Sequence, residues 1–432
     1  MPLRERLPAL TLTTLATLAL AFPAAASPWR GSVTQEDGVE VVHNPAEPSG
    51  GEKALAPTEL WHLGADEDAP ESELFGMITN ILVDEDGNSY LLDMQLNEIR
   101  VFSPTGEYLR SLGRNGEGPG EFRNGMHEFF LPEGRIGVAQ MMPSRIAVLG
   151  REGDGFADLT IPGPAGAGLQ MVNGARGAGD HCVLALMTPI QGDGRSETRR
   201  SLIAVAPDGA LKATYNELSE FFEGGGMRFS FGTGEGEDFT GQWDVDGAGR
   251  VYTAPMYDQY LLRVYAPDGK LIRRVLTDYE HLKRTKDEIA EIEERQAGLP
   301  EGFPRPEINP YLRDVRGIVV RPDGSVWVDS SRNSRRREAG AVGPFDRYDP
   351  QGRFVERVTL KADYDPERDD VVVAGDRLFV IKEAQMTSGT FQASSGAMNM
   401  VITMGGGDEE DEDEELDPAP LSVISYRLPA GY

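Results

Sequence analysis

Over residues 81–122 the chain reads ILVDEDGNSYLLDMQLNEIRVFSPTGEYLRSLGRNGEGPGEF, short apolar runs with polar positions interleaved. A hydrophobic period of two predicts β-strands, and the Asp-Gly and Thr-Gly steps between the runs predict tight turns. The unit is therefore strand, turn at 84–88, strand SYLLD, a short link, strand EIRVF, turn at 103–107, and strand YLRSL. Its first turn recurs near Gly134, Ala178, Gly249, Gly324 and Gly375, at steps of 47, 44, 71, 75 and 51 residues counted from Gly87. The second turn recurs near Gly153, Gly209, Gly269 and Gly352. Six units of four strands result, two of them lengthened by insertions.

Four-stranded units repeating every ~40 to 50 residues mark a β-propeller, whose radial stacking leaves few sheet edges open. The last unit supplies only three strands, DVVVAG, DRLFVIKEA and LSVISYRL. Its missing outer strand is expected from the other end of the chain, where ELWHLG at 59–64 matches EYLRSLG at 107–113. The fold class expected is all-β: a six-bladed propeller over residues 58–432, closed by an N-terminal strand. One helix is expected between blades four and five, at 285–298. There Thr285 and Glu288 form a capping box, Ile289 and Ile292 share a face, and Gly298 and Pro300 stop the helix. It serves either as a lid or as an inert cap.

The unit, above all LGRNGEGPGEF at 112–122, resembles the NHL-type six-bladed propellers of exported bacterial proteins, within the TolB-like superfamily. The resemblance runs over residues 59–432. Blade one carries it best, in YLLD ending at Asp93, then Asn97, then IRVFSPTG. Blade two departs from the pattern, with Gln140 where Asp93 stands, so the Asp is not a repeated ligand and is expected to cap a turn.

In such a blade the turns joining the first to the second strand and the third to the fourth lie on one face, and they are short here. The long insertions all fall on the opposite face, where function on a rigid scaffold concentrates. Seven candidate binding residues belong to that face. Arg123, Asn124 and His127 follow the GRNGEGPGEF link and lead into the inner strand of blade two. Arg332, Arg335, Arg336 and Arg337 form the loop SSRNSRRREAG of blade five. In the next blade an acidic loop at 405–420 holds nine carboxylates between positions 408 and 417. Either it pairs with the arginines or, since like charges repel, it stays solvated.

Composition narrows the function classes. The 432 residues hold 42 Lys and Arg against 71 Asp and Glu, a formal charge of -29, which argues against a nucleic-acid partner. One cysteine, Cys182, can build neither a disulfide framework nor a zinc module. Residues 1–26 read as a secretory signal, with Arg4 and Arg6 before an apolar run and Ala24 and Ala26 closing it. That run is shorter than the ~20 residues a bilayer core needs, so no integral membrane span is expected. The expectation is a soluble, exported monomer, periplasmic or secreted, with residues 27–57 extended along the surface.

No HExxH, GxSxG, GxGxxG or P-loop sequence occurs, and five histidines are scattered over different units. The DEDGN run at 84–88 lacks the spacing of a calcium loop. The expected activity is binding of a protein, peptide or glycan through the long-loop face. The alternative is a metal-dependent hydrolase or lyase at the central channel, lactonase-like or amidating-lyase-like, with Ca or Zn as cofactor. Propeller enzymes of both kinds resemble this fold, but no ligand set of theirs maps onto this chain.

Overall fold

The computed structural model describes residues 28–432 apart from 67, 141–143, 165–169, 192–194, 224–236, 238, 240, 299–304, 306, 385–390, 395–396 and 401–420. Residues 1–26, read above as a secretory signal, and the acidic stretch at 405–420 lie outside the described residues.

Six antiparallel sheets form the six blades. From the centre outward, blade one is Ile78–Val83, Ser89–Asp93, Glu98–Phe102 and Tyr108–Leu112, and blade two is Gly125–Leu131, Arg135–Gln140, Arg145–Gly150 and Gly155–Phe156. Blade three is Met171–Gly177, Cys182–Gln191, Arg195–Val205 and Leu211–Glu223, and blade four is Trp243–Val245, Val251–Thr253, Leu261–Tyr265 and Leu271–Thr277. Blade five is Val315–Val320, Val326–Ser330, Ala341–Tyr348 and Phe354–Lys361. Blade six takes Asp370–Ala374, Arg377–Lys382 and Ser422–Arg427 from the end of the chain. Its outermost strand is Thr58–Leu63, antiparallel to Ser422–Arg427 with Val423 opposite Leu63.

The middle strands of the blades, such as Ser89–Asp93 and Val326–Ser330, bury both faces, because neighbouring blades pack sheet on sheet. The apolar interior is accordingly divided into six clusters, one per pair of neighbouring blades. Between blades six and one, Trp61 packs on Phe102 and Phe379, with ring centroids 6.3 and 5.8 Å away. Tight turns between the strands use left-handed glycines, such as Gly87 at φ 81° and Gly324 at φ 83°. At Gly324 the left-handed backbone is what favours glycine.

Residues 28–57 depart from the expected extended surface segment. Ser32–Glu36 and Val39–Asn44 form a hairpin, and Val39–Asn44 pairs in parallel with the outer strand of blade four. Glu52–Leu55 then pairs in parallel with the outer strand of blade five. The segment is a strap that covers two sheet edges before it enters blade six. Its own Val41 and Val42 are buried against the blades, which is the apolar gain that holds it down. Asn44 locks the corner. Its amide donates to the carbonyls of Leu276 and Gly352, and its oxygen accepts from Trp29 Nε1 and from the Phe354 amide.

The helix, α1 (Lys286–Ala297), forms where the capping box predicts it, with both reciprocal bonds of Thr285 and Glu288 present. It stands on a stalk in which the Leu312 amide donates to Leu282 and the Arg284 amide to Pro310.

Candidate functional site at the channel mouth

All six inner strands run the same way. Each starts beneath the long loops and ends in a short turn, as Ile78–Val83 ends in the turn at 84–88. Near the long-loop end, four of the six carry one extra residue. In blade one Ile78 and Asn80 pair with consecutive partners and Thr79 is left between them. Met126 of blade two, Asn173 of blade three and Arg316 of blade five are left over in the same way. A bulge bends a strand and re-aims the extra side chain. Three of these four residues are polar, on blades one, three and five.

The inner strands enclose a channel with a cavity of about 540 Å³, lined from all six blades. Its wall includes Thr79, Met126, His127, Asn173, Arg337 and Asp370. Thr79 donates its hydroxyl proton to the Gly125 carbonyl at 3.2 Å, and Asn80 donates to the Glu128 carbonyl at 3.0 Å, so blade one is stitched to blade two at this level.

The ionisable groups here are governed by burial. Burial, helped by the nearby Arg176 charge, pushes the His127 imidazole down to about 3, so it is neutral at physiological pH. Its Nε2 has no hydrogen-bond partner among the described residues. Glu128, next along the strand but turned toward blade one, is fully buried, and burial raises it well above the usual carboxylate range. Burial also pushes Asp370 up to about 7, against the Val371 amide and the Arg337 charge. Its Oδ1 accepts from the Val371 amide at 2.9 Å. Deeper in the channel Asp244 is raised by burial, opposed by Arg176 at 3.4 Å and by the Val320 amide, which donates to it at 2.8 Å.

Of the seven residues singled out by sequence, the structure brings His127 and Arg337 to the channel wall. Arg123 is exposed on the link and pairs with Glu117 at 3.3 Å. Asn124 takes a left-handed conformation, φ 50°, and its amide donates to Asn97 Oδ1 at 2.7 Å. The Arg-rich loop is neutralised from several sides. Arg332 lies over the Tyr279 ring and 3.7 Å from Glu47, Arg335 pairs with Glu288 at 2.8 Å, and Arg336 holds both oxygens of Glu52 at 2.8 and 2.9 Å. Arg337 pairs with Asp329 at 2.5 Å. Glu47 and Glu52 belong to the strap, whose carboxylates sequence reasoning did not connect with this loop. Arg336, aided by Arg357, holds Glu52 down at about 2.

Asp93 accepts the amides of Gly76, Met77 and Leu96. Gln140 accepts the Arg123 amide in blade two. Both side chains cap the backbone entering an inner strand, which is why Asp and Gln can exchange at this position. Thr79, Asn173 and Asp370 on the channel wall, and the bulge at Arg316, were missed. The available signal was a polar residue out of phase in each inner strand, in MITNILV, QMVNGARG and DVRGIVV. Among the described residues no three His, Cys, Asp or Glu side chains converge as a metal site. Among them, too, no helix is long and apolar enough to cross a membrane.

Strand count, blade order and a common axial channel define the class: this is a six-bladed β-propeller. Residues 68–149, which span blade one and most of blade two, match the family model DUF5128, described as a 6-bladed beta-propeller. No curated protein matches the chain. Among solved structures it is similar to a member of the DUF4221 family from Bacteroides vulgatus, at 11% identity over 87% of this chain and 97% of that one, TM-score 0.47. It is also similar to a calcium-binding protein, regucalcin, from Agrobacterium tumefaciens, at 13% identity over 81% and 93%, TM-score 0.37. A third likeness is to virginiamycin B lyase from Staphylococcus aureus, at 11% identity over 75% and 81%, TM-score 0.37. These likenesses carry no argument about activity.

Proposed function

We propose that this propeller is an exported binding module that takes the end of a protein, peptide or glycan into the long-loop mouth of its channel. The observation that supports this reading is the set of bulges. A bulge interrupts the hydrogen-bond ladder, so bulges at one level in four inner strands, three of which place Thr79, Met126 and Asn173 on the cavity wall, support a mouth built for contact. The cavity beneath, about 540 Å³, is in the range that small-ligand sites occupy. The metal-dependent hydrolase reading has no ligand set among the described residues.

The test is a screen of the purified mature protein against peptide and glycan arrays, repeated with the mouth narrowed by Asn173→Phe or Thr79→Tyr. Ligands found with the wild type should be lost in both variants, while their thermal unfolding stays cooperative. Binding that survives both substitutions would place recognition elsewhere and sink the reading. Metal analysis of the same preparation accompanies it, because stoichiometric Ca or Zn resisting dialysis would favour the enzyme.

A further inference from the structure

Arg176 and Asp244 are a pair of opposite charges that both line the channel cavity. Arg176 comes from the inner strand of blade three and Asp244 from that of blade four, and the guanidinium lies over the Trp243 ring, 5.6 Å from its centroid. Two backbone amides fix the carboxylate. That of Val245 donates to Oδ1 at 2.9 Å, and that of Val320, in blade five, donates to Oδ2 at 2.8 Å. Arg176 Nη1 is occupied by the Ala175 carbonyl at 2.9 Å. Its Nε then stands 3.4 Å from Asp244 Oδ1, beyond the ~2.7–2.9 Å of a charge-assisted hydrogen bond.

A purely structural pair looks different in this molecule. Arg357 and Asp346 meet at 2.9 Å with side chains 4% and 1% exposed, whereas Arg176 and Asp244 keep 32% and 17% of theirs open. Burial opposes the Asp244 charge more than its present partners relieve it, so a further donor arriving there is stabilising. The pair also selects what can arrive. A peptide end, whether carboxylate or ammonium, meets a like charge 3.4 Å from the group that attracts it. A neutral group with a donor and an acceptor side by side suits both, and the vicinal diol of a sugar is such a group. Val83, Val319 and Val373 give the same cavity an apolar wall, against which the C–H face of a sugar ring can lie.

We propose that the Arg176–Asp244 pair seats the neutral, diol-bearing end of a glycan, one hydroxyl donating to Asp244 and its neighbour accepting from Arg176. This names the ligand for the binding reading above and rests on it.

Calorimetric titration with three kinds of probe decides the matter. The first is a set of neutral trisaccharides: maltotriose, cellotriose, xylotriose and mannotriose. The second is each trisaccharide after periodate cleavage and borohydride reduction, which opens its vicinal diols. The third is one tripeptide with either end free and the other blocked. At least one intact trisaccharide should bind about tenfold or more tightly than its opened form, and the gap should close in Arg176→Gln and in Asp244→Asn. Thermal unfolding of both variants is followed alongside. If Asp244→Asn does not fold, Arg176→Gln carries the test alone.

No trisaccharide bound, a gap that persists in Arg176→Gln, or a tripeptide bound in place of the sugars would overturn the proposal. Lower stability of the variants with the gap unchanged would assign the pair a structural role and overturn it too. A tripeptide that binds and is lost in Asn173→Phe refutes the glycan seat while leaving the channel reading standing. Binding of any probe that is indifferent to Arg176→Gln, Asn173→Phe and Thr79→Tyr refutes both.

Discussion

At the scale of single residues, two channel groups give stability opposite pH dependences. Asp370 is held at about 7 in the fold against ~3.9 in an unfolded chain. Between those values the folded protein keeps a proton that the unfolded chain has lost, so this group makes stability fall as pH rises from about 4 to about 7. Asp370→Asn should remove that fall and leave the protein more resistant to urea than the wild type at pH 8. Parallel denaturation series at pH 4.5 and pH 8 check this, and an unchanged difference between the two would refute it. His127 runs the other way. With a folded value of about 3 against ~6.5 unfolded, it keeps stability intact above about 6.5 and loses it as pH falls toward 3. His127→Gln should therefore blunt acid unfolding in that window. Asn44 supports no titration, but its four hydrogen bonds join the strap to blades four and five. Asn44→Ala should cost about 2–4 kcal/mol in denaturant unfolding, because it leaves buried donors and acceptors unpaired.

At the scale of elements, the strap and α1 differ in what they hold. The strap pairs along two outer strands and supplies Glu47 and Glu52 to Arg332, Arg336 and Arg357. A chain lacking residues 28–56 but keeping Thr58–Leu63 should lose amide-exchange protection in Leu271–Thr277 and Phe354–Lys361 while blades one and two keep theirs. Equal loss around the ring would contradict this division. By contrast, α1 touches the blades through its stalk and the Arg335 contacts, so Thr285→Ala should cost the helix about 1 kcal/mol and leave the unfolding midpoint of the propeller nearly unchanged. These differences track what sequence could reveal. Turns at Gly87 or Gly324 and the cap at Thr285 are local, so a few neighbouring residues announce them. The strap was not legible, because Val39–Asn44 pairs with residues more than 200 positions away and its own sequence, rich in Pro and Gly around it, resembles a surface tail. The bulges were partly legible. A single out-of-phase Thr79, Asn173 or Arg316 interrupts a period-two pattern, but only comparison between blades shows that the interruptions fall at one level. The arginine loop looked like a cationic patch because the counter-ions of Arg332, Arg335 and Arg336 are Glu47, Glu288 and Glu52, all distant in sequence.

At the scale of the molecule, the interior is six interfaces in a ring, and no blade is buried by fewer than two neighbours. Trp61 lies at the interface where the two ends of the chain meet. Trp61→Ala should remove about 3–5 kcal/mol, the range for a large aromatic lost from a core, and lower the midpoint of the whole propeller rather than of blade six alone. Tryptophan fluorescence, backbone dichroism and calorimetry should still report one coincident transition, and separated transitions would contradict it. The placement of the strap also sets a timetable. Residues 32–63 are made early, yet their partners are the outer strands of blades four and five and the third strand of blade six, which ends at Arg427. A growing chain therefore carries Thr58–Leu63 unpaired until Ser422–Arg427 has emerged. Such long-range pairing slows folding and leaves β-edges open to wrong partners meanwhile. Closure of the ring is thus the latest pairing that the order of strands along the chain allows.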